Sequence, residues 1–289
     1  MPNSMLLVLF FLLCQAVFVV VAKNRLMPWL CLEICDSVEQ IAEEMSVITA
    51  KKDVLSAVSF EIYTLGDDCA FVQNMTLTNP HDSIVGLGLE SWPMITSYPH
   101  PPAFIEWMRK VMFDQKCGDK FIQSAIDAAL QYQYSGYNLD WEPVSDVTNS
   151  TQPIHEADAR GFADFIDKFS KKLEAIDVHL TVDIATWSTG NGAPSIWNYT
   201  LIADTSVHRA ITMGTYTGTD ATFMDQMALM TDTFDTDQIG IGLMWPLNET
   251  QIAYRLNQIQ GNGIKEVDIW RMPIPDDWWP ALEEYVNSE

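Results

Sequence analysis

Lysine and arginine are scarce in this chain: 16 stand against 39 acidic residues, a formal charge of −23 over 289 residues. A surface of that sign repels phosphate backbones and anionic lipids, which excludes nucleic acid and charged membrane surfaces as partners. The acids are dispersed, so no like-charge run marks a disordered tail. The histidines His81, His100, His155, His179 and His208 show no metal-ligand spacing, and surface roles are expected for them. No glycine-rich phosphate fingerprint follows the first strand-like run, and no serine nucleophile elbow is present. No metal or organic cofactor is expected. Internal repeats, low-complexity tracts and domain-sized linkers are also lacking, which favours one domain.

Long apolar runs are lacking too, with one exception. Met5 to Ala22 is almost continuously apolar and is followed by Lys23, Asn24 and Arg25. Residues 1–22 read as a secretory signal peptide, with an uncleaved membrane anchor as the alternative. Cys31, Cys35, Cys69 and Cys117 remain beyond it, an even number suited to two disulfides in any of three pairings. Four Asn-x-Ser/Thr sequons, at Asn74, Asn149, Asn198 and Asn248, fall in polar stretches where a glycan has room. Together these features point to the secretory pathway, ending outside the cell or in an endolysosomal compartment.

Over residues 23–289, short β-rich runs alternate with helix-period segments. The expected strands are Leu26–Ile34, Val54–Thr64, Ser83–Leu89, Gly136–Glu142, Leu180–Thr186, His208–Tyr216, Gln238–Leu243 and Glu266–Arg271. Helices are expected at Ser37–Thr49, Pro102–Asp114, Asp119–Tyr132, His155–Ile176, Ala221–Met230, Glu249–Gln260 and Trp278–Val286. Buried runs separated by helices indicate a parallel sheet, and eight such units indicate a closed (β/α)8 TIM barrel, an α/β single domain.

The fourth run carries the chemistry. In "YSGYNLDWEP", residues Tyr134 to Pro143, the polar Asn138, Asp140 and Glu142 share one strand face, and the apolar Tyr137, Leu139 and Trp141 share the other. The apolar face packs against helices, so the polar row points into the barrel and ends at its C-terminal rim. Side-by-side carboxyls raise each other's pKa, which fits Glu142 for general-acid work.

This stretch resembles the Asp-Gly-x-Asp-x-Asp-x-Glu signature of glycoside hydrolase family 18, the chitinases and chitobiase-like enzymes. The order of βα units extends the resemblance over residues 23–289. It implies that Glu142 is the proton donor and that Asp140 orients the substrate's N-acetyl group, which itself attacks the anomeric carbon. It further implies a stacking tryptophan at Trp270, a tyrosine donor at Tyr216 beside Met213, and an aromatic at Phe60. The expected ligand is an oligosaccharide containing β-linked N-acetylglucosamine, from chitin or an N-glycan core. Ser135 and Asn138 stand where the family has its first two aspartates, so a divergent branch is indicated. A carbohydrate-binding protein with weakened catalysis is the alternative. Asp183, on the neighbouring expected strand, is a candidate to supply the charge lost at Asn138. Glu61 and Tyr63, beside Phe60, are also within possible reach of the site. Cys35 and Cys69 follow the first two strands toward the same rim and are the preferred disulfide pair. The short interval between the last two strands leaves no room for a large inserted α+β module.

Overall fold

The structure, a computed structural model, describes residues 23–74, 78–143, 153–185, 195–216 and 218–288. The segment 1–22, Asn149 and Trp187 lie outside the described residues. No helix among the described residues is long and apolar enough to cross a membrane.

Nine strands form one sheet. They are β1 (Arg25–Leu30), β2 (Ala57–Leu65), β3 (Phe71–Gln73), β4 (Glu90–Thr96), β5 (Gly136–Asp140), β6 (His179–Ile184), β7 (Arg209–Thr212), β8 (Ile239–Met244) and β9 (Glu266–Trp270). Eight of them pair in parallel, and β1 bonds to both β2 and β9, which closes the ring as a (β/α)8 barrel. The short β3 lies antiparallel on β2, outside the ring. The carboxylate strand β5 is therefore the fourth of the barrel.

Helical periodicity fixes the outer layer. Phe162, Phe165, Ile166, Phe169 and Leu173 of the helix Glu156–Glu174 recur at three- and four-residue spacing and are buried. Against them lie the outward side chains of β5 and the residue after it: Tyr137, Leu139 and Trp141 are fully buried. The Trp141 ring stacks on Phe165 with centroids 5.3 Å apart. This packing commits Asn138 and Asp140 to the interior face. At the other end of the barrel, Arg25 bonds to Glu90 at 2.7 Å and to Glu266 at 2.8 Å, tying β1, β4 and β9 together. Trp92 fills the interior there, and a Cβ at position 136 would come within 2.3 Å of its ring, so only glycine fits at Gly136.

Several boundaries differ from expectation. The run Ser83–Leu89 is not a strand: His81–Gly86 is a short helix burying Ile84, and the third barrel strand is Glu90–Thr96. Pro93 inside "ESWPMIT" disguises that strand, since proline is ordinarily a strand breaker. The first run stops at Leu30, and a 3-10 turn covers Leu32–Ile34. The sixth stops at Thr212, with a 3-10 turn at Met213–Thr215.

The disulfides are Cys31–Cys35 and Cys69–Cys117, not Cys35–Cys69. Because Cys31 lies in a turn rather than an extended strand, residues 31 and 35 approach to a Cα separation of 5.5 Å. Cys69, after β2, meets Cys117 in the first turn of the helix Gln115–Tyr132. Chain entropy assigns about 4 kcal/mol to the longer crosslink and about 2 kcal/mol to the shorter. Non-reducing peptide mapping is expected to recover these two pairs, and Cys69→Ala with Cys117→Ala to cost more in chemical denaturation than Cys31→Ala with Cys35→Ala. Recovery of a Cys35–Cys69 peptide would contradict the assignment.

Candidate active site

The register of the parallel strands determines which side chains meet. Glu61 of β2 aligns with Met94 of β4, Met94 with Asn138 of β5, and Asn138 with Thr181 of β6. Aligned residues of parallel strands share a face, so Glu61 joins the interior row. Phe60, one residue away, faces the opposite side, fully buried in the hydrophobic core. The expectation that Phe60 lines the site is therefore corrected: Glu61 does.

Asn138 donates through Nδ2 to Thr181 Oγ1 and to Asp183 Oδ1, each at 3.0 Å. Asp183 thus stands against the motif position that has no charge of its own. Ser135 takes no part, since its hydroxyl accepts from the Ser91 N–H at 3.3 Å. Above this layer, the Ser97 N–H donates to the Asp140 carbonyl at 3.1 Å and the Glu142 N–H to Ser97 Oγ at 3.2 Å. Those two bonds hold the rim ends of β4 and β5 together.

Asp140 and Glu142 open into a cavity of about 570 Å³ shared with Glu61, Tyr216 and Trp270. Trp270 is half-buried, and Trp29 lies edge-on between the other two aromatics, with centroids 5.8 Å from Trp270 and 6.3 Å from Tyr216. Met213 and Tyr216, three apart, both line the cavity because the strand gives way to the Met213–Thr215 turn between them. The buried Arg255 holds that turn by donating to Thr215 O at 2.9 Å. Gly242 makes room for it: a Cβ there would come within 2.4 Å of the Tyr216 ring.

The site is acidic, and its carboxyls are buried. Burial raises the pKa of Asp140 well above the usual carboxylate range, and Glu142, Asp183 and Glu61 add to the effect. Burial likewise raises Asp183, against the lowering effect of the Asn138 hydrogen bond. Glu142 is raised by burial. Glu61 is pushed up to about 8 by burial and by Glu142, with Arg271 opposing. Burial and the surrounding acids keep the Tyr216 phenol protonated. Such an arrangement shifts the carboxyls toward their proton-bearing form.

The sequence reasoning passed over His100, Ser97 and Tyr98, which line the cavity after β4. The misplaced third strand hid them; a strand ending at Thr96 would have put them on the rim. His100 is half-buried at the cavity wall rather than freely exposed, and burial lowers its pKa. His179 and His208 are half-buried, stacked with centroids 4.3 Å apart beside Trp92. Among the sequons, Asn198 and Asn248 are exposed helix caps that use only their Oδ1 atoms. Asn74 is different, since its Nδ2 is enclosed and not offered to solvent. Among the described residues no cluster of three or more metal-ligating side chains occurs.

Fold and rim together define a class: a (β/α)8 barrel of the architecture used by chitinases and related glycosidases. The chain is similar to the chitinase of Chromobacterium violaceum, with a TM-score of 0.73 at 10% identity over 92% of this chain and 100% of that one. It is similar to the spore cortex-lytic enzyme SleL of Bacillus megaterium, with a TM-score of 0.76 at 10% identity over 92% and 75% of the two chains. A third likeness is to a chitinase catalytic domain of Ostrinia furnacalis in complex with penta-N-acetylchitooctaose, with a TM-score of 0.69 at 10% identity over 92% and 96%. No protein-family model matches the sequence, and no curated protein matches it.

The Asn138–Asp183 contact yields a test. Asn138→Asp places two carboxyls in contact and is expected to lower stability at pH 7 by about 3 kcal/mol, the scale of an uncompensated buried charge. The added carboxyl is raised above its unfolded pKa, so the deficit is smallest near pH 4, where both groups hold protons, and grows as pH rises. Adding Asp183→Asn moves the acid from one strand to the next and is expected to restore most of the loss. Denaturation of the single and double variants against pH reads this directly; an additive double variant would contradict the contact.

Proposed function

We propose that the protein is a secreted glycosidase hydrolysing β-linked N-acetylglucosamine, in chitin oligomers or an N-glycan core, with retention of configuration. The observation carrying this reading is the convergence of Glu142, Asp140, Tyr216 and Trp270 on one rim cavity. Glu142, whose pKa burial raises, gives its proton to the departing glycosidic oxygen. The substrate's acetamido oxygen attacks the anomeric carbon to form an oxazolinium ring, while Asp140 accepts a hydrogen bond from the acetamido N–H and the Tyr216 hydroxyl donates to the acetamido oxygen. The Glu142 carboxylate then takes a proton from the water that opens the ring. Trp270 supplies an apolar face for the pyranose. Asp183 acts through Asn138, presenting from β6 the carboxyl that the motif lacks on β5.

Passage through the secretory pathway is supported by the apolar segment 1–22, by two disulfides, and by the exposed sequons at Asn198 and Asn248. One observation favours the alternative of a carbohydrate-binding protein with weakened catalysis: position 138 carries an amide where a proton-sharing carboxyl would sit.

Incubation with chitotetraose and a chitobiose-core glycopeptide, with products resolved by mass, separates the two. The enzyme reading expects shorter sugars from wild type and a rate about 10²–10⁴-fold lower for Glu142→Gln, the usual worth of a general acid. Equal turnover by both proteins would sink the assignment of Glu142. Binding without cleavage would favour the alternative.

A further inference from the structure

Glu61 has no task in the mechanism above, yet it lines the same cavity. It is 5% exposed, lines the cavity with Asp140 and Glu142, and makes no hydrogen bond among the described residues. Asp140 Oδ1 is also buried and unpartnered among those residues. No lysine or arginine is among the residues lining the cavity. The nearest cation, Arg271, is already engaged: its Nη1 bonds to Asp36 and lies 3.8 Å from Glu44. An acid buried with neither a cation nor a hydrogen-bond donor is costly to the fold, and a ligand carrying both would relieve that cost. An organic cation that also donates hydrogen bonds meets both needs at once.

We propose that Glu61 is the anchor of a subsite for an unacetylated glucosamine unit, so that the preferred ligand is a partly deacetylated chain of β-linked N-acetylglucosamine. This rests on the glycosidase reading and narrows its substrate. The acetylated unit sits at Asp140 and Tyr216, where its acetamido group reacts. A neighbouring unit with a free amine presents an ammonium to Glu61. That ammonium supplies the hydrogen-bond donor and the positive charge that the cavity wall lacks, and ion-paired Glu61 gives up its proton to solvent. The net charge of −23 draws such a cationic chain toward the protein.

Calorimetry on Glu142→Gln, which leaves the sugar intact, tests the proposal with chitotetraose and its partly deacetylated counterpart at low salt. The deacetylated chain is expected to bind about tenfold more tightly, the scale of a charge-assisted hydrogen bond. Adding Glu61→Gln, a near-isosteric change, is expected to bring the ratio of the two affinities to about one. Equal or weaker binding of the deacetylated chain with Glu61 in place overturns the subsite without needing the second variant. So does a preference that survives Glu61→Gln, or saturable binding of magnesium or calcium alone that is lost with Glu61. Chitotetraose binding without preference overturns the subsite and leaves the glycosidase reading intact. Failure of both sugars to bind overturns the two together.

Discussion

The hydrogen bond from Asn138 Nδ2 to Asp183 Oδ1, 3.0 Å long, is the contact on which the upper barrel depends. It joins β5 to β6 inside a closed ring where water and cations have little access. A carboxyl in that position is costly unless it is protonated or accepts hydrogen bonds. Here one amide provides part of the compensation, and burial raises the pKa of the carboxyl, which favours its uncharged form. Asp140 and Glu142 lie above this contact on the same strand face. Their raised pKa values therefore come from the surroundings as a whole, not from either residue by itself.

The barrel interior divides by charge. At the N-terminal ends of the strands, Arg25 meets Glu90 and Glu266, and Arg209 lies 3.7 Å from Glu266, so acids and bases are matched. Higher up the acids form no ion pair among the described residues: Asp268, Asp183, Asp140, Glu61 and Glu142 all have raised pKa values. Matched charges close the lower mouth and hold three strands together. Unmatched ones make the upper half a reservoir of protons facing a cavity. The aromatic packing of Trp141 on Phe165 and of Tyr137 against the helices supplies the burial that offsets the cost.

Much of this was legible in the sequence. Strict alternation in "YNLDWE" was enough to place Asn138, Asp140 and Glu142 on one face, because a strand has no other way to separate polar from apolar side chains. The same alternation put Thr181 and Asp183 on a common face of β6. What was not legible depended on neighbours. Phe60 and Glu61 are adjacent, and only the register with Met94 and Asn138 shows which of them faces inward. The third strand was misplaced because Pro93 interrupts it, and His100, Ser97 and Tyr98 were missed with it. The turn at Met213–Thr215, which brings Met213 and Tyr216 to one cavity, is held by Arg255, a residue 40 positions beyond Thr215 whose role no local pattern reveals. The disulfides failed for the same reason: the pairing of Cys31 with Cys35 needs a turn that an apolar run does not announce.

The acids of the upper barrel are raised in pKa because the barrel buries them together. A carbon-13 carboxyl titration of aspartate- and glutamate-labelled protein measures this directly, with resonances assigned by Glu61→Gln, Asp140→Asn and Asp183→Asn. The Glu61 resonance is predicted to titrate near 8, and those of Asp140 and Asp183 well above the ordinary carboxylate range. Titration of all three at about 4, the value of a solvated carboxylate, would contradict it.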